Sequence, residues 1–139
     1  MIFCEIGKAN GNLGRHNSAI EFFDKGLQMD PDHFQSLIEK AHLLATCPEE
    51  KLRNGAQALK LATRAYENKN TRDWQKWQPA MVLAEAHAES GNFKEAVRFA
   101  KEALGRAGPD FGRRDEFLEK LSLFQKNMPY RAKVAKPVD

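Results

Sequence analysis

The sequence predicts an all-α fold of helix pairs stacked side by side, and two observations support this class. Apolar residues recur three and four positions apart along almost every segment, which is the spacing of an amphipathic helix. Alternation of apolar and polar residues, the pattern of a half-buried strand, is not found in any segment. Turn-forming residues then divide the chain of 139 residues into helices of about ten to sixteen residues.

The predicted helices are separated by short runs of turn-forming residues. These breaks are Gly14, Asp30-Pro31, residues 47–55, Gly91-Asn92 and residues 105–112. Asp30 is placed to accept hydrogen bonds from the first N–H groups of a helix that Pro31 begins. Asn92, with Glu95 three residues later, resembles a capping box. Both signals support these positions for the breaks.

Two stretches of the chain share one pattern of small and large residues. The positions of the later stretch are Gly91, Ala96, Val97, Ala100, Ala103 and Leu104, and those of the earlier one are Gly14, Ala19, Ile20, Phe23, Gly26 and Leu27. The pattern resembles the tetratricopeptide repeat, a helix-turn-helix unit of about 34 residues. The resemblance implies a right-handed superhelical α-solenoid of antiparallel helix pairs, in which small residues let paired helices approach closely.

We expect three copies of this repeat, then a capping helix and a tail. The first repeat is residues 1–33, a divergent repeat with an extended inter-helix loop is 34–72, the third is 73–108, the capping helix is 109–127, and a basic, flexible tail is 128–139. The distance from Ala19 to Ala58 is 39 residues and that from Ala58 to Ala96 is 38, so the extra residues fall in connections. This arrangement resembles a bacterial variant of the family.

The two ends of the predicted stack differ. A face of four apolar residues in the last helix, Phe117, Leu118, Leu121 and Phe124, is suited to cover the C-terminal end. At the other end, Ile2 and Phe3 lie directly inside the first helix, without a preceding cap. We therefore expect either that the chain is a segment of a longer protein or that this end self-associates.

Charge and hydropathy exclude several classes of protein. The formal net charge is +3, but residues 113–139 hold seven Lys and Arg against four Asp and Glu, which leaves fifteen of each before them. The neutral body argues against nucleic acid as a partner, although the basic end could dock to an acidic partner or to nucleic acid. No apolar run approaches the roughly 20 residues of a membrane span, and the N-terminus is not a signal peptide, so we expect a soluble, cytoplasmic protein.

The resemblance also implies a binding surface, because the first helices of the repeats line the concave side in this family. Its candidate residues here are Cys4, Glu5, Lys8, Asn12, Gln35, Ile38, Glu39, His42, Thr46, Gln78, Met81, Val82, Glu85 and Glu89. Carboxylates outnumber cations among them, so we expect a mildly acidic groove for a basic and apolar peptide. The alternative is that these charges form a solvated helix face.

One partner class of this family is disfavoured by the residues present. Family members that hold the acidic C-terminal tails of cytosolic chaperones use lysine, asparagine and arginine at set groove positions. The corresponding positions here are Cys4, Lys8, Glu39, Gln78 and Val82. Only Lys8 is basic and Glu39 would repel a carboxylate, so we do not expect a chaperone tail as partner.

The tryptophans Trp74 and Trp77 are the remaining interface candidates. Pro79 is best tolerated in the first turn of a helix, so we expect the helix to begin at Gln78 or Pro79 and the tryptophans to lie on the preceding connection. They could pack over the long loop. They could also anchor a partner, since tryptophan is enriched at interface hot spots.

Catalysis and cofactor binding are not indicated by any motif. Cys4 and Cys47 have no zinc-type spacing and predict buried thiols, the four histidines suggest no metal site, and no glycine-rich phosphate loop follows a strand. We therefore expect a non-catalytic protein-interaction module without cofactor or metal. The alternative is an oligomerisation or assembly module, or a piece of a larger protein that packs against preceding repeats.

Overall fold

A computed structural model describes residues 1–133 and shows seven α-helices and two short 3₁₀ turns in that part of the chain. The helices are α1 (Ile2–Asn12), α2 (His16–Met29), α3 (Phe34–Thr46), α4 (Gly55–Glu67), α5 (Trp77–Glu89), α6 (Phe93–Ala107) and α7 (Arg114–Gln125). The 3₁₀ turns are Glu50–Leu52 and Asp73–Gln75. No strand occurs in residues 1–133, which confirms the all-α prediction.

The helices pack in chain order as a stack of pairs. Helices α1 and α2, α3 and α4, and α5 and α6 form the pairs, and α7 packs on α6. Neighbouring pairs meet where α2 contacts α3 and α4 contacts α5, while α3 also packs against α1 and α5. This order is that of an α-solenoid, as predicted; its right-handed twist and the boundaries of its repeats stay predictions.

Small residues hold the paired helices close together. A Cβ added to Gly7 on α1 would lie 2.5 Å from the Phe23 ring on α2, so no larger residue fits there. In the second pair, Ala58 and Ala62 are fully buried against Leu37 and the other residues of one apolar cluster. The alanine and glycine pattern of the sequence is therefore explained by the helix spacing.

Local signals at the helix starts differ in part from the prediction. His33, not Asp30, caps α3, because residues 30–33 form a turn in which the His33 N–H donates to the Asp30 C=O at 3.0 Å. The capping box at Asn92 is also not formed, because the carboxylate of Glu95 pairs with Arg98 at 2.6 Å instead. Both breaks nonetheless lie where they were predicted.

The start of α5 corrects the expected position of one tryptophan. The helix begins at Trp77, with Pro79 still in its first turn, where its missing N–H costs no hydrogen bond. Trp74 lies on the connection, in the 3₁₀ turn.

The last helix covers the end of the stack with a face that was only partly predicted. Phe117 and Phe124 are buried against Ala100, Ala103 and the rest of their cluster. Leu118, expected on the same face, is 41 % exposed, and Lys120 is buried instead. Within residues 1–133, no helix is both long and apolar enough to cross a membrane.

Candidate functional site

The first helices of the three pairs, α1, α3 and α5, form one side of the stack, and two adjoining cavities open there. The larger, of about 380 Å³, lies between α1, α3 and residues 132–133. The smaller, of about 130 Å³, lies between α3, α5 and α7. Glu39 and His42 line both cavities, so we treat the two as one surface and call it the groove.

Most of the predicted binding residues do meet in the groove. Those that line it are Lys8, Asn12, Ile38, Glu39, His42, Thr46, Gln78, Met81, Val82 and Glu85. Of the others, Cys4 is buried, Glu5 is exposed on α1, Gln35 donates to Glu39 at 2.9 Å, and Glu89 is held by two arginines. Ten of the fourteen candidate residues therefore line one surface, and their role in binding stays a prediction.

A buried ionic cluster lies at the base of the groove. Glu85 on α5 is 2 % exposed, and its Oε1 lies 2.8 Å from Nδ1 of His42 on α3. Its Oε2 lies 2.9 Å from Nζ of Lys120, which is also 2 % exposed and belongs to α7. Lys120 further pairs with Glu116 at 3.2 Å. The cluster therefore ties three helices together through charged groups removed from water.

The electrostatics of this cluster favour the charged forms of its members. Burial by itself would raise the pKa of Glu85, but the charges of His42 and Lys120 outweigh it and lower that pKa from 4.5 to about 2. Burial would lower the pKa values of His42 and Lys120, yet the carboxylate of Glu85 raises both. The cluster is consequently a buried ion-pair network that links α3, α5 and α7.

A second carboxylate is neutralised at the far end of α5. Glu89 Oε1 lies 3.3 Å from Nε of Arg53, which also donates to the Cys47 C=O at 2.8 Å and so fastens the extended loop. Glu89 Oε2 lies 2.6 Å from Nη1 of Arg131. Glu89 thus anchors two separate segments of chain on α5.

The expected acidic groove is corrected by these pairs. Glu85 and Glu89 do not face solvent as free charges, because each is paired within the fold. Glu5 lies 4.0 Å from Lys8 on the surface of α1. Among the four carboxylates, Glu39 alone has no ion pair within residues 1–133, and it accepts only from Gln35. The groove therefore has mixed charge around a single available carboxylate.

The segment after α7 was missed by the sequence prediction. We predicted a flexible tail from residue 128, but residues 128–133 lie against the groove. Residues 134–139 of that predicted tail lie outside the described residues. The Ala132 N–H donates to the Thr46 C=O at 2.8 Å, and the Lys120 ammonium lies 4.6 Å from the ring centroid of Tyr130. Asn127 has a positive φ of 59° and turns the chain after α7. An asparagine near the end of a helix commonly adopts this conformation, so its presence in the sequence was the available signal.

The four interface candidates fall into two groups. Trp77 packs against Phe111 and Phe117, with ring centroids 4.8 and 6.0 Å apart, so it helps to hold α7 on the stack. Phe3 stacks on Phe22 at 6.4 Å. Ile2 and Trp74, by contrast, are 70 % and 73 % exposed. Only the latter two present an apolar surface to a partner.

The environments of the two cysteines disfavour thiol chemistry. Cys4 and Cys47 are buried free thiols, and burial raises the pKa of each, which disfavours the reactive thiolate. No group of three or more His, Cys, Asp or Glu side chains that could hold a metal occurs in residues 1–133.

The fold and the groove define a helical repeat protein. Residues 2–33, which form α1 and α2, match the tetratricopeptide repeat family, and the seven helices of the described chain fit a helical repeat of that type. Comparison with curated proteins and with solved structures finds no match. Tetratricopeptide repeats are non-catalytic scaffolds that generally mediate protein–protein interactions.

Proposed function

We propose that this protein binds an extended segment of a partner protein in the groove, without catalysis. The observation that carries the proposal is the pair of adjoining cavities on α1, α3 and α5, which share Glu39 and His42. Both cavities are lined mainly by side chains of these helices. A groove on rigid helices lowers the ordering cost of binding, because its side chains are held in place beforehand.

The lining of the groove suggests the chemistry of the partner. Ile38, Met81 and Val82 supply an apolar floor that is nearly buried, so only a small apolar side chain reaches it. Glu39 supplies the available carboxylate above that floor. An extended segment with a basic residue next to a small apolar one would complement both features. No lysine, asparagine and arginine clamp for an acidic tail is present at the corresponding positions.

The test is a selection of binding peptides from a displayed random library against the full chain, followed by charge reversal in the groove. We expect Glu39→Lys to weaken binding of the selected peptides at least about tenfold, because it replaces the attracting charge with a repelling one. Fluorescence anisotropy measures this change. Circular dichroism confirms that the variant remains folded.

A matched charge reversal on the other side of the stack provides the control. Glu21→Lys changes an exposed glutamate on α2, outside both cavities, and we expect it to leave the affinity unchanged. Equal effects of the two substitutions would contradict binding in the groove.

The second candidate function is assembly through the first helix pair. Ile2 and Met29 are each 70 % exposed, and Met1 lies against Gly26, one helical turn before Met29. These side chains form an apolar patch at one end of the stack, which is suited to a second copy or to other repeats.

Light scattering coupled to size exclusion tests this candidate. If the patch mediates assembly, the chain is a dimer at about 100 µM and Ile2→Asp converts it to a monomer, since burying a carboxylate in an apolar interface is unfavourable. Leu13→Asp, at an exposed position of the same helix pair, should leave the dimer intact. A monomeric wild-type chain rejects self-association through this patch. Phe3 is unsuitable for the test because it stacks on Phe22.

A further inference from the structure

The chain after α7 is directed back across the stack by its own local structure. Asn127 adopts a left-handed conformation, and the Met128 N–H donates to the Leu123 C=O at 2.9 Å. This is the hydrogen bond that commonly ends a helix and reverses the chain, with asparagine among the residues that tolerate the backbone angle. The segment that follows, residues 128–133, therefore starts from a defined direction.

Three different contacts hold residues 128–133 on α7, α5 and α3. The ring of Tyr130 faces the ammonium of Lys120, and Arg131 pairs with Glu89. The Ala132 N–H donates to the C=O of Thr46, in the last turn of α3, where carbonyl groups have no partner within the helix. An aromatic ring, a guanidinium and a backbone N–H are the groups through which an extended peptide binds a protein surface.

Two residues of this segment border the groove. Ala132 and Lys133 line the larger cavity, opposite Lys8, Glu39 and His42. They therefore occupy one edge of the surface that the proposed function assigns to a partner. The cavity that they line has a volume of about 380 Å³.

We propose that residues 128–133 are an intramolecular occupant of the binding surface, and that the partner displaces them with a segment of the same chemistry. That segment carries an aromatic residue followed by arginine and a small residue, in extended conformation. The aromatic ring replaces Tyr130 over Lys120, and the arginine replaces Arg131 at Glu89. This proposal rests on the proposed function, because Ala132 and Lys133 line the same groove, while the contacts of Tyr130 with Lys120 and of Arg131 with Glu89 beside it name the chemistry of the partner.

The arrangement suits displacement rather than permanent closure. Tyr130, Arg131 and Ala132 are all only partly buried, and Met128 is exposed, so the segment inserts no fully buried apolar side chain. Segments with few buried apolar contacts open at low cost. A partner binds only the molecules whose site is open, so its apparent affinity is the intrinsic affinity multiplied by that open fraction. If about a tenth of the molecules are open, the affinity is reduced about tenfold.

The experiment uses the full chain and a fluorescein-labelled peptide with the sequence of residues 127–133, NMPYRAK. We compare its affinity for the wild-type chain with that for the double variant Tyr130→Ala, Arg131→Ala, which loses both side-chain contacts of the occupant. We expect about tenfold tighter binding to the double variant. The control chain carries Lys126→Ala, an exposed position without these contacts, and should bind as the wild type does.

Two further arms establish where the peptide binds. A peptide with glutamate in place of arginine, NMPYEAK, should bind the double variant at least tenfold more weakly, and so should NMPYRAK when Glu89→Gln is added to that variant. Equal affinity for wild type and double variant, or no binding to the double variant, overturns the proposal. A wild-type dimer that dissociates on Tyr130→Ala, Arg131→Ala also overturns it, since the segment would then occupy a second copy. After any of these outcomes the proposed function would still stand if the peptides selected from the library lose affinity on Glu39→Lys.

Discussion

Replacing Lys120 with methionine will lower the free energy of unfolding by about 3 kcal/mol, although lysine to methionine is nearly neutral at an exposed position. Lys120 is fully buried, and its ammonium lies 2.9 Å from Glu85. The substitution leaves a buried carboxylate with His42 as its remaining partner. Breaking a buried pair from one side costs roughly 3–5 kcal/mol, and the contact with His42 places the expected loss at the lower end.

Urea unfolding of three variants checks this expectation. Lys101→Met, at an exposed site on α6, should change the free energy of unfolding by less than about 0.5 kcal/mol. The double variant Glu85→Gln, Lys120→Met should recover a large part of the loss, since it removes the uncompensated charge as well. If Lys120→Met is as mild as Lys101→Met, the buried cluster does not stabilise the fold.

Acid will destabilise the protein over the range in which Glu85 gains its proton. The pKa of Glu85 is about 2 in the folded chain against 4.5 without the fold. The unfolded chain therefore binds the proton first, and the stabilisation is complete above about pH 4.5 and lost as the pH falls toward 2. A pKa lowered by this amount corresponds to on the order of 3 kcal/mol.

His42 makes the stability depend on pH in the opposite direction. The curve of unfolding free energy against pH therefore has an acid limb, due to Glu85, and an alkaline limb, due to His42. Its pKa is raised above 6.5 in the folded chain, so its contribution is complete below pH 6.5 and is lost as the pH rises through the folded value. The two limbs predict that the cluster stabilises most between about pH 4.5 and 6.5. The free energy of unfolding, measured in urea from pH 2.5 to 9, follows both limbs.

Variants assign each limb to its residue. Glu85→Gln should flatten the acid limb, leaving the smaller slope due to Glu116, whose pKa is also lowered to about 2 but whose side chain is partly exposed. His42→Gln should flatten the alkaline limb. An acid limb that keeps its full slope in Glu85→Gln would show that other carboxylates cause the acid sensitivity.

The stacked helices were predictable because their determinants are local. Apolar spacing, Gly14 and Gly91 at the turns, and the alanines between paired helices all act within one repeat. Both glycines adopt the positive φ that a tight turn requires. Helix existence and order follow from such signals without knowledge of distant contacts.

The site was only partly predictable because its charges pair across the stack. Glu85 reaches His42 on α3 and Lys120 on α7, and no spacing within one helix encodes either contact. One signal was nevertheless present: Lys120 follows Phe117 by three residues and precedes Phe124 by four, which places it on the buried face of α7. A charge on an apolar face predicts a buried partner, and Glu85, set between Ala84 and Ala86, was the candidate.

The central claim, that partners bind on the side of the stack formed by α1, α3 and α5, is tested most directly by photo-crosslinking. A benzophenone amino acid replaces Gln78, at the rim of the smaller cavity, or Lys101, exposed on α6, in the full chain. Each protein is irradiated with a peptide selected from the displayed library. The account predicts that the peptide crosslinks to position 78 and not to position 101. Crosslinking at position 101 with none at position 78 would contradict it.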